Sequence, residues 1–591
     1  MAKKNVMNER LNCQPWQSLW RVVKPYWVSQ TRWRAIGLLL LLLVLSIGSS
    51  SFLIWETLQR GEILSALAAQ NADRFRNAII QFLSIIIASV LLLSFKTYIQ
   101  EKLGLSWRQW LTSHCLQSYL AGDTAYHLSV RSEIDNPDQR IAEDIHHVTQ
   151  RSLFFIVTLF DSIVQLIGFI GVLWFISQAL MFSLLTYALI GTIITTFIFG
   201  RVLIGINYEQ LQREANFRFN LVRVRDNAEA IAFYQGQRPE FNQARQRFLD
   251  AYQNFDRFIR WQFGLTIFQN GYQYLTFILP FIILAPRIFA GDLEVGTVVQ
   301  SQASFERIGF ALGLVITQFE QISALAAGIS RLDGLMQFTA SPLSRLAEAP
   351  ELETIESNQI ALQQFTLYTP DYQKTLVEQL SVQIDPDRSL LIVGISGVGK
   401  SSLLRAIAGL WRSGSGKILR PPMQHLLFLP QRPYMILGTL RQQLLYPRQG
   451  ADCSDQQLSQ VLQQVNLAHL SARFGGFEAI EDWSQLLSLG EQQRLAFARL
   501  FLTQPQYAIL DEATSALDEA NEAQLYGQLQ HQPITFISVG HRPSLLPYHQ
   551  QVLVLLADHT WRTMSVSEYR NEYRNEYRSE YRNEYNVEPQ L

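Results

Sequence analysis

Hydrophobic and polar positions follow two different rhythms along this chain, and the change falls near residue 340. Before it, no Asp, Glu, Lys or Arg occurs from Ala35 to Trp55, Asn77 to Phe95, Ser162 to Gly200 or Trp261 to Pro286, runs of 21, 19, 39 and 26 residues. About 20 apolar residues in a helix cross the hydrocarbon core of a bilayer. The first, second and fourth runs therefore predict one spanning helix each. The 39-residue run predicts most of two, with a tight turn near Ser177 and Gln178. Asp161 then falls inside the third helix, which is expected to start near Ser152. A sixth segment, from about Gly296 to Ser323, is apolar but interrupted by Glu306, Arg307 and Glu320. Even parity would return the chain to its starting side, so the expectation is six spans.

Between the spans, residues 98–151 and 206–262 form connections of 54 and 57 residues, and the other connections are short. Two helical halves of such a loop reach roughly 35–40 Å from the membrane at about 1.5 Å per residue. Lys3, Lys4, Arg10, Arg21, Lys24, Arg32 and Arg34 precede the first span, which by the positive-inside rule sets the amino terminus and both long loops in the cytosol. The first apolar run begins too late for a cleaved signal peptide and reads as a retained anchor. Trp16, Trp20, Pro25, Tyr26, Trp27 and Trp33 suit an interfacial elbow helix. Charges within spans are functional candidates: Asp161, Glu306, Arg307 and Glu320 could line a polar translocation cavity, the alternative being that Asp161 lies on the cytosolic extension and Glu306 pairs with Arg307.

After residue 340 the texture turns to short apolar runs between turn residues, the pattern of alternating strands and helices. Ser389–Val393 reads as a buried strand that runs into Gly394, Ile395, Ser396, Gly397, Val398, Gly399, Lys400, Ser401 and Ser402, and then into a helical pattern. This is GxxxxGK[ST] in its strand–loop–helix context. Glycines let the backbone close around a phosphate, and the loop amides and helix N-terminus face the anion. Lys400 is expected to reach the β- and γ-phosphates of ATP and Ser401 to ligate Mg2+. Gln506–Leu510 is a second buried strand, ending in Asp511 and Glu512. Asp511 is placed to hold the magnesium shell, and Glu512 to orient or deprotonate the attacking water. A third strand, Thr535–Val539, is followed by Gly540, His541 and Arg542, with His541 a γ-phosphate sensor.

Composition sharpens this division. The chain of 591 residues carries a net charge of −1 and only 17% charged residues, below the roughly 25% of soluble domains. Up to residue 340 there are 29 basic and 24 acidic residues, and beyond it 20 and 26. That balance excludes a generally basic nucleic-acid binder, and the apolar excess excludes a disordered polar chain. Cys13, Cys115 and Cys453 form no CxxC pair, which excludes a disulfide scaffold or zinc ribbon and leaves ordinary reduced thiols.

Taken together, these motifs resemble those of ATP-binding cassette (ABC) transporters. GISGVGKSS is similar to their Walker A motif, LPQRPY to their Q-loop at Gln431, LSLGEQQR to their signature, ILDEATSALD to their Walker B and D-loop, and SVGHR to their H-loop, all in family order. The resemblance implies that Ser488, Gly490, Glu491 and Gln492 act in trans on nucleotide held by a second copy's Lys400. It also implies a D-loop Asp518, and a Gln431 that joins Ser401 and Asp511 around magnesium. Leu489 and Glu491 depart from the commonest signature, while Ser488 and Gly490, the phosphate-facing pair, remain. Tyr368 and Tyr372 are both candidates for the adenine-stacking aromatic. Pro25-Tyr26-Trp27, DNPDQRI from Asp135 and the stretch Asn227–Tyr234 resemble the branch holding peroxisomal subfamily D half-transporters and bacterial SbmA/BacA-like transporters. On that branch the two loop motifs would carry coupling helices, which makes Asn136, Asp138, Arg140, Glu229 and Tyr234 coupling candidates.

The resemblance spans residues 16–560, and the tail from Glu568 to Tyr585 repeats every four residues (EYRN). As a helix the repeat would stack Glu on Glu and Arg on Arg, so a disordered low-complexity extension is expected. The expected fold class is an α-helical six-span transmembrane domain followed by an α/β P-loop ATPase. The expected boundaries are 1–34 leader and elbow, 35–340 transmembrane, 341–565 nucleotide-binding and 566–591 tail. The expected function is an ATP-driven, homodimeric half-transporter for a hydrophobic or amphipathic cargo (peptide, fatty acyl compound or cobalamin-like vitamin) in a bacterial inner membrane, with no nucleic acid partner. Two alternatives stand beside it. One is a proton-coupled permease with a regulatory ATPase domain, and the other a soluble ABC factor.

Overall fold

The computed structural model describes residues 14–131, 134, 136–340, 350–448 and 453–572. The chain forms two compact units, Met1–Pro342 and Leu343–Leu591. The leader before Gln14 and most of the tail expectation, from residue 573 on, lie outside the described residues.

Among the described residues, the elements of the first unit are helices. Helix α1 (Gln14–Val28) precedes α2 (Arg32–Ala68), α3 (Ala72–Tyr119), α4 (Thr124–Arg131), α5 (Pro137–Ile176), α6 (Gln178–Asp226), α7 (Ala228–Phe233), α8 (Gln237–Phe289), α9 (Gly296–Thr317) and α10 (Phe319–Ala340). Among the described residues, five helices are long and apolar enough to cross a membrane: α2, α3, α5, α6 and α8. The sixth expected span corresponds to α9, where Glu306 and Arg307 are exposed between buried Phe305 and Ile308.

The expected turn is present. Ser177 is extended between α5 and α6, and its hydroxyl accepts the Leu180 N–H as an N-cap. The third span differs from expectation, because its helix begins at Pro137 and not near Ser152. Asn136 takes a left-handed conformation at the cap, with φ of 43°, and Pro137 occupies the first turn, where its missing N–H costs nothing. The helices overshoot the apolar runs by many turns, since the long connections are themselves helical. At about 1.5 Å per residue, the 48 residues of α3 extend roughly 70 Å.

Leu83, Ile87, Val90 and Leu91 are exposed on α3, as lipid-facing positions are. Inward faces rely on small residues. A Cβ on Gly296 would stand 1.9 Å from the Gly61 carbonyl oxygen, so only glycine lets α9 start against α2. Tyr26 is buried and stacks on Trp107 of α3 at 5.9 Å, whereas Trp20 and Trp33 are exposed. The aromatic cluster is therefore partly core and partly rim. Asp333 of α10 holds α1 by accepting from Ser18 Oγ at 2.7 Å and from Arg21 at 2.7 Å.

The second unit contains strands β1 (Glu353–Glu356), β2 (Ile360–Tyr368), β3 (Thr375–Ile384), β4 (Leu390–Gly394), β5 (Gly414–Arg420), β6 (Leu426–Leu429), β7 (Gly438–Thr439), β8 (Ile480–Glu481), β9 (Tyr507–Asp511), β10 (Thr535–Val539), β11 (Gln551–Leu555) and β12 (Trp561–Ser565). The main sheet has the order β12-β11-β4-β10-β9-β6, parallel except for the β12 edge. A smaller sheet has the order β1-β5-β2-β3. The continuous apolar runs of β4, β9 and β10 suit parallel strands covered on both faces. Leu390 and Ile392 pack with Leu403 and Ile407 of the helix Lys400–Ile407 on one side. Leu391 and Val393 belong to the cluster on the other side, which includes Leu495 and Phe497 of the helix Leu489–Thr503.

Candidate nucleotide site

Parallel order brings the motif-bearing strand ends together. Val539 pairs with Asp511 and with Ile392, and Leu429 pairs with Leu510. The loops after β4, β6, β9 and β10 therefore leave from one edge, the usual ligand crevice of an α/β sheet. The P-loop, Gln431, the Asp511–Glu512 pair and His541 meet there although they lie far apart in sequence.

Gly394 has φ of 152°, and a Cβ there would stand 2.6 Å from the Leu555 carbonyl oxygen. Glycine is needed at this point because neighbouring β11 leaves no room for a side chain. Ile395, Ser396 and Gly397 are exposed on the loop, Val398 is buried beneath it, and Gly399 precedes the helix. Lys400 is buried, and its Nζ donates to the Gly394 and Ile395 carbonyls at 2.7 and 2.9 Å. Burial lowers the Lys400 pKa against the opposing pull of Glu512 and Asp511. Ser401 Oγ donates to Asp511 Oδ1 at 3.1 Å, and Ser402 is half-buried one residue on. Burial raises the Asp511 pKa, with the Ser401 hydrogen bond acting in the opposite direction.

Glu512 adopts φ of 49°, a conformation of cost for a non-glycine residue. It is locked by its own N–H donating to Val539 O at 3.1 Å. Gln431 Nε2 donates to Glu512 Oε2 at 2.7 Å, and His541 Nε2 lies 3.7 Å from Glu512 Oε1. One carboxylate thus stands between an amide and an imidazole, beside the loop that carries Lys400.

The signature segment opens the helix Leu489–Thr503 with a capping box: Ser488 Oγ accepts the Glu491 N–H, and Glu491 accepts the Ser488 N–H at 2.9 Å. Glu491 is therefore a competent helix-start residue here. Burial alone would raise its pKa, yet the Ser488 hydrogen bonds and Arg473 hold it below the usual carboxylate range. Gly490 packs on Ala516, where a Cβ would stand 3.1 Å from the carbonyl oxygen. Gln492 turns back on its own loop, donating to Ser484 and Leu487 carbonyls. Asp518 caps the helix Glu519–Gln530 by accepting the Asn521 N–H at 2.7 Å. Tyr368 and Tyr372 sit 5.9 Å apart, and the Tyr372 hydroxyl donates to Pro350 O.

In the first unit Asn136, Asp138, Glu229 and Tyr234 are exposed, Tyr234 by 87%, whereas Arg140 is buried and donates to the Arg331 carbonyl of α10 at 2.7 Å. Asp161 is paired with Lys96, Nζ to Oδ2 at 2.5 Å, and Lys96 also reaches Ser49 Oγ at 3.4 Å. The described side chains around the site include several to which the motifs gave no role. Gln493, Glu522 and His549 are all buried and hydrogen-bonded behind it. One signal was available: Gln493 falls at the i, i+3, i+4 and i+7 spacing of Ala496, Phe497 and Leu500, a polar residue on an apolar face.

Residues 22–289 match the family described as ABC transporter transmembrane region 2, and residues 377–515 match ABC transporter. An uncharacterized ABC transporter ATP-binding protein of Synechocystis is 46% identical over 547 residues, covering 91% of this chain and 82% of that protein. The chloroplastic ABC transporter D family member 2 of Arabidopsis thaliana is 38% identical, covering 91% of this chain and 86% of its own. The lysosomal cobalamin transporter of Homo sapiens is 31% identical, covering 94% and 97%. A bacterial Atm1-family ABC exporter with ATP bound has the same fold, with a TM-score of 0.71 at 17% identity, covering 92% of this chain and 98% of that one.

Proposed function

The chain belongs to the ABC transporters, as a multi-pass membrane domain fused to an ATP-hydrolysing domain, and from that premise we propose that two copies form a homodimer with six spans each. The observation that carries the reading is Glu512 held between Gln431 and His541 beside Lys400. In this reading the loop from Gly394 through Ser402 wraps the ATP phosphates and Lys400 meets the β- and γ-phosphates. Glu512 takes or orients the proton of the attacking water, and His541 contacts the γ-phosphate.

The set Ser401, Asp511 and Gln431 offers hard oxygen donors, and Ser401 and Asp511 already stand 3.1 Å apart. That set fits Mg2+, which when bound neutralises charge on the phosphate oxygens. Ser488 and Gly490, with Glu491 and Gln492 shaping their turn, complete the partner's site, and Asp518 lies at the same face. Tyr368 or Tyr372 stacks on adenine. Asn136, Asp138, Glu229 and Tyr234 carry motion between the motor and the spans, with Arg140 bracing the first loop from within.

The boundaries follow the same reading: leader and elbow 1–34, transmembrane domain 35–340, nucleotide-binding domain 341–565, tail 566–591. The basic leader favours a cytosolic amino terminus and motor, and the membrane in this reading is a bacterial inner membrane. The cargo in this reading is hydrophobic or amphipathic, such as a peptide, a fatty acyl compound or a cobalamin-like vitamin; one relative is named a cobalamin transporter. Reconstituted vesicles test the reading with cobalamin, acyl-CoA and peptide as probes. Lys400→Ala should abolish ATP turnover and cargo movement together, and a proton uncoupler should leave wild-type movement intact. Movement that persists in Lys400→Ala, or stops with the uncoupler, overturns it.

A further inference from the structure

Gln493 is fully buried in the helix that opens on Ser488. Its side chain uses both donors and an acceptor. Nε2 donates to the Gln431 carbonyl at 3.0 Å and to Ser515 Oγ at 3.1 Å, while Oε1 accepts the Ala516 N–H at 3.0 Å. Three segments therefore meet on one amide: the signature helix, the loop carrying Gln431 and the loop following Glu512. Only an amide fits these partners, since a carboxylate has no donor and a hydrocarbon has neither donor nor acceptor.

The same loop is gripped from its far side by Arg542, which donates to Ser515 O at 2.9 Å and to Leu517 O at 2.8 Å. Arg542 in turn touches buried Glu522, which accepts from Thr514 Oγ1 at 2.8 Å. The stretch between Glu512 and Asp518 is thus held between the helix that begins at Ser488 and the segment that begins at His541. Gln431 is held twice, by its carbonyl on Gln493 and by its side chain on Glu512.

We propose that Gln493 is a positioning residue for ATP hydrolysis, fixing Gln431 and the start of the loop after Glu512 so that the Glu512 carboxylate keeps its place. The proposal rests on Glu512 being the residue that acts on water. A displacement of about 1 Å at a reacting group is enough to cost roughly 100-fold in rate. A buried amide joining both sides of Glu512 governs such a displacement, and it lies on the one helix that also carries Ser488.

The test uses full-length protein in lipid nanodiscs, with wild type, Gln493→Met and Gln493→Glu compared. The expected result is a kcat for ATP lower by at least about tenfold, a KM for ATP within about twofold of wild type, and unchanged binding of a non-hydrolysable ATP analogue. The double variant Gln493→Met with Glu512→Gln should be no slower than Glu512→Gln alone, as expected of groups that act as a unit. Wild-type kcat in either Gln493 variant overturns the proposal. So does a parallel loss of kcat, analogue affinity and thermal stability, or loss of folded protein in both variants, since each marks a purely structural role. Glu512→Gln read alone separates the two assignments. If it turns over normally, the water-directed role of Glu512 fails first; if it is inactive while Gln493→Met is normal, only the Gln493 proposal fails.

Discussion

Gln431 Nε2 donates to Glu512 Oε2 at 2.7 Å across 81 residues of sequence. The bond links the loop after β6 to the end of β9, so a change in the first reaches the carboxylate directly. Replacing Glu512 by Gln keeps the shape and removes the carboxylate proposed to act on water. Steady-state ATP turnover should fall by about 10²–10⁴, with nucleotide binding retained. Normal turnover in Glu512→Gln would remove Glu512 from the mechanism.

The Lys96–Asp161 pair joins a buried lysine to a half-buried aspartate, with side chains 7% and 19% exposed. Lys96→Met or Asp161→Leu alone should cost about 3–5 kcal/mol, because the remaining charge loses its partner. The double variant should recover most of that stability. Thermal unfolding of the purified protein in detergent reads all three, and additive losses would show the two charges to be uncoupled.

Acid should weaken the motor through His549. Its Nδ1 faces the Leu545 carbonyl at 2.8 Å, so this nitrogen carries the proton, and Nε2 accepts from Ser538 Oγ at 2.9 Å. Burial pushes its pKa down to about 4 from 6.5. Between those values the unfolded chain binds a proton that the folded chain refuses. Stability from this group is therefore full above about pH 6.5 and is lost as pH falls toward 4. Unfolding temperatures measured across that window should drop in wild type and show a shallower slope in His549→Gln.

Gly296→Ala should disturb the start of α9, since its Cβ would stand 1.9 Å from backbone. A loss of about 1–3 kcal/mol is expected for this overpacking. Gly37→Ala is the matched control, because a Cβ at that position meets nothing within 4 Å. Equal unfolding temperatures for the two variants would show that the close approach of α9 to α2 is not required.

The strands around the motifs were legible to within one residue, because parallel strands buried on both faces announce themselves as continuous apolar runs between turn residues. β4 spans Leu390–Gly394 where Ser389–Val393 was expected, and β10 is Thr535–Val539 as read. The turn at Ser177 was legible for the same reason, as a polar break in an apolar run. The start of α5 was not, because apolarity marks where a helix meets lipid and says little about where it continues in water. The Asn136–Pro137 cap was the better signal. Asp161 could not be assigned from its own neighbourhood, since its partner Lys96 lies on another helix. The role of Gln493 was not legible because its side chain faces inward, onto partners that lie 22 and 62 residues away in sequence.

The lysine–aspartate pair also bears on how the protein is made. Lys96 leaves the ribosome 65 residues before Asp161, which at about 5–20 residues per second is a wait of roughly 3–13 seconds. During that interval the second apolar helix is complete but carries an ammonium with no counterion. Lys96 directly follows the uncharged run that ends at Phe95, so until the third helix arrives its ammonium reaches for the headgroup level. The pair therefore dates a step of assembly: it can close only once the third helix is present to pack against the second.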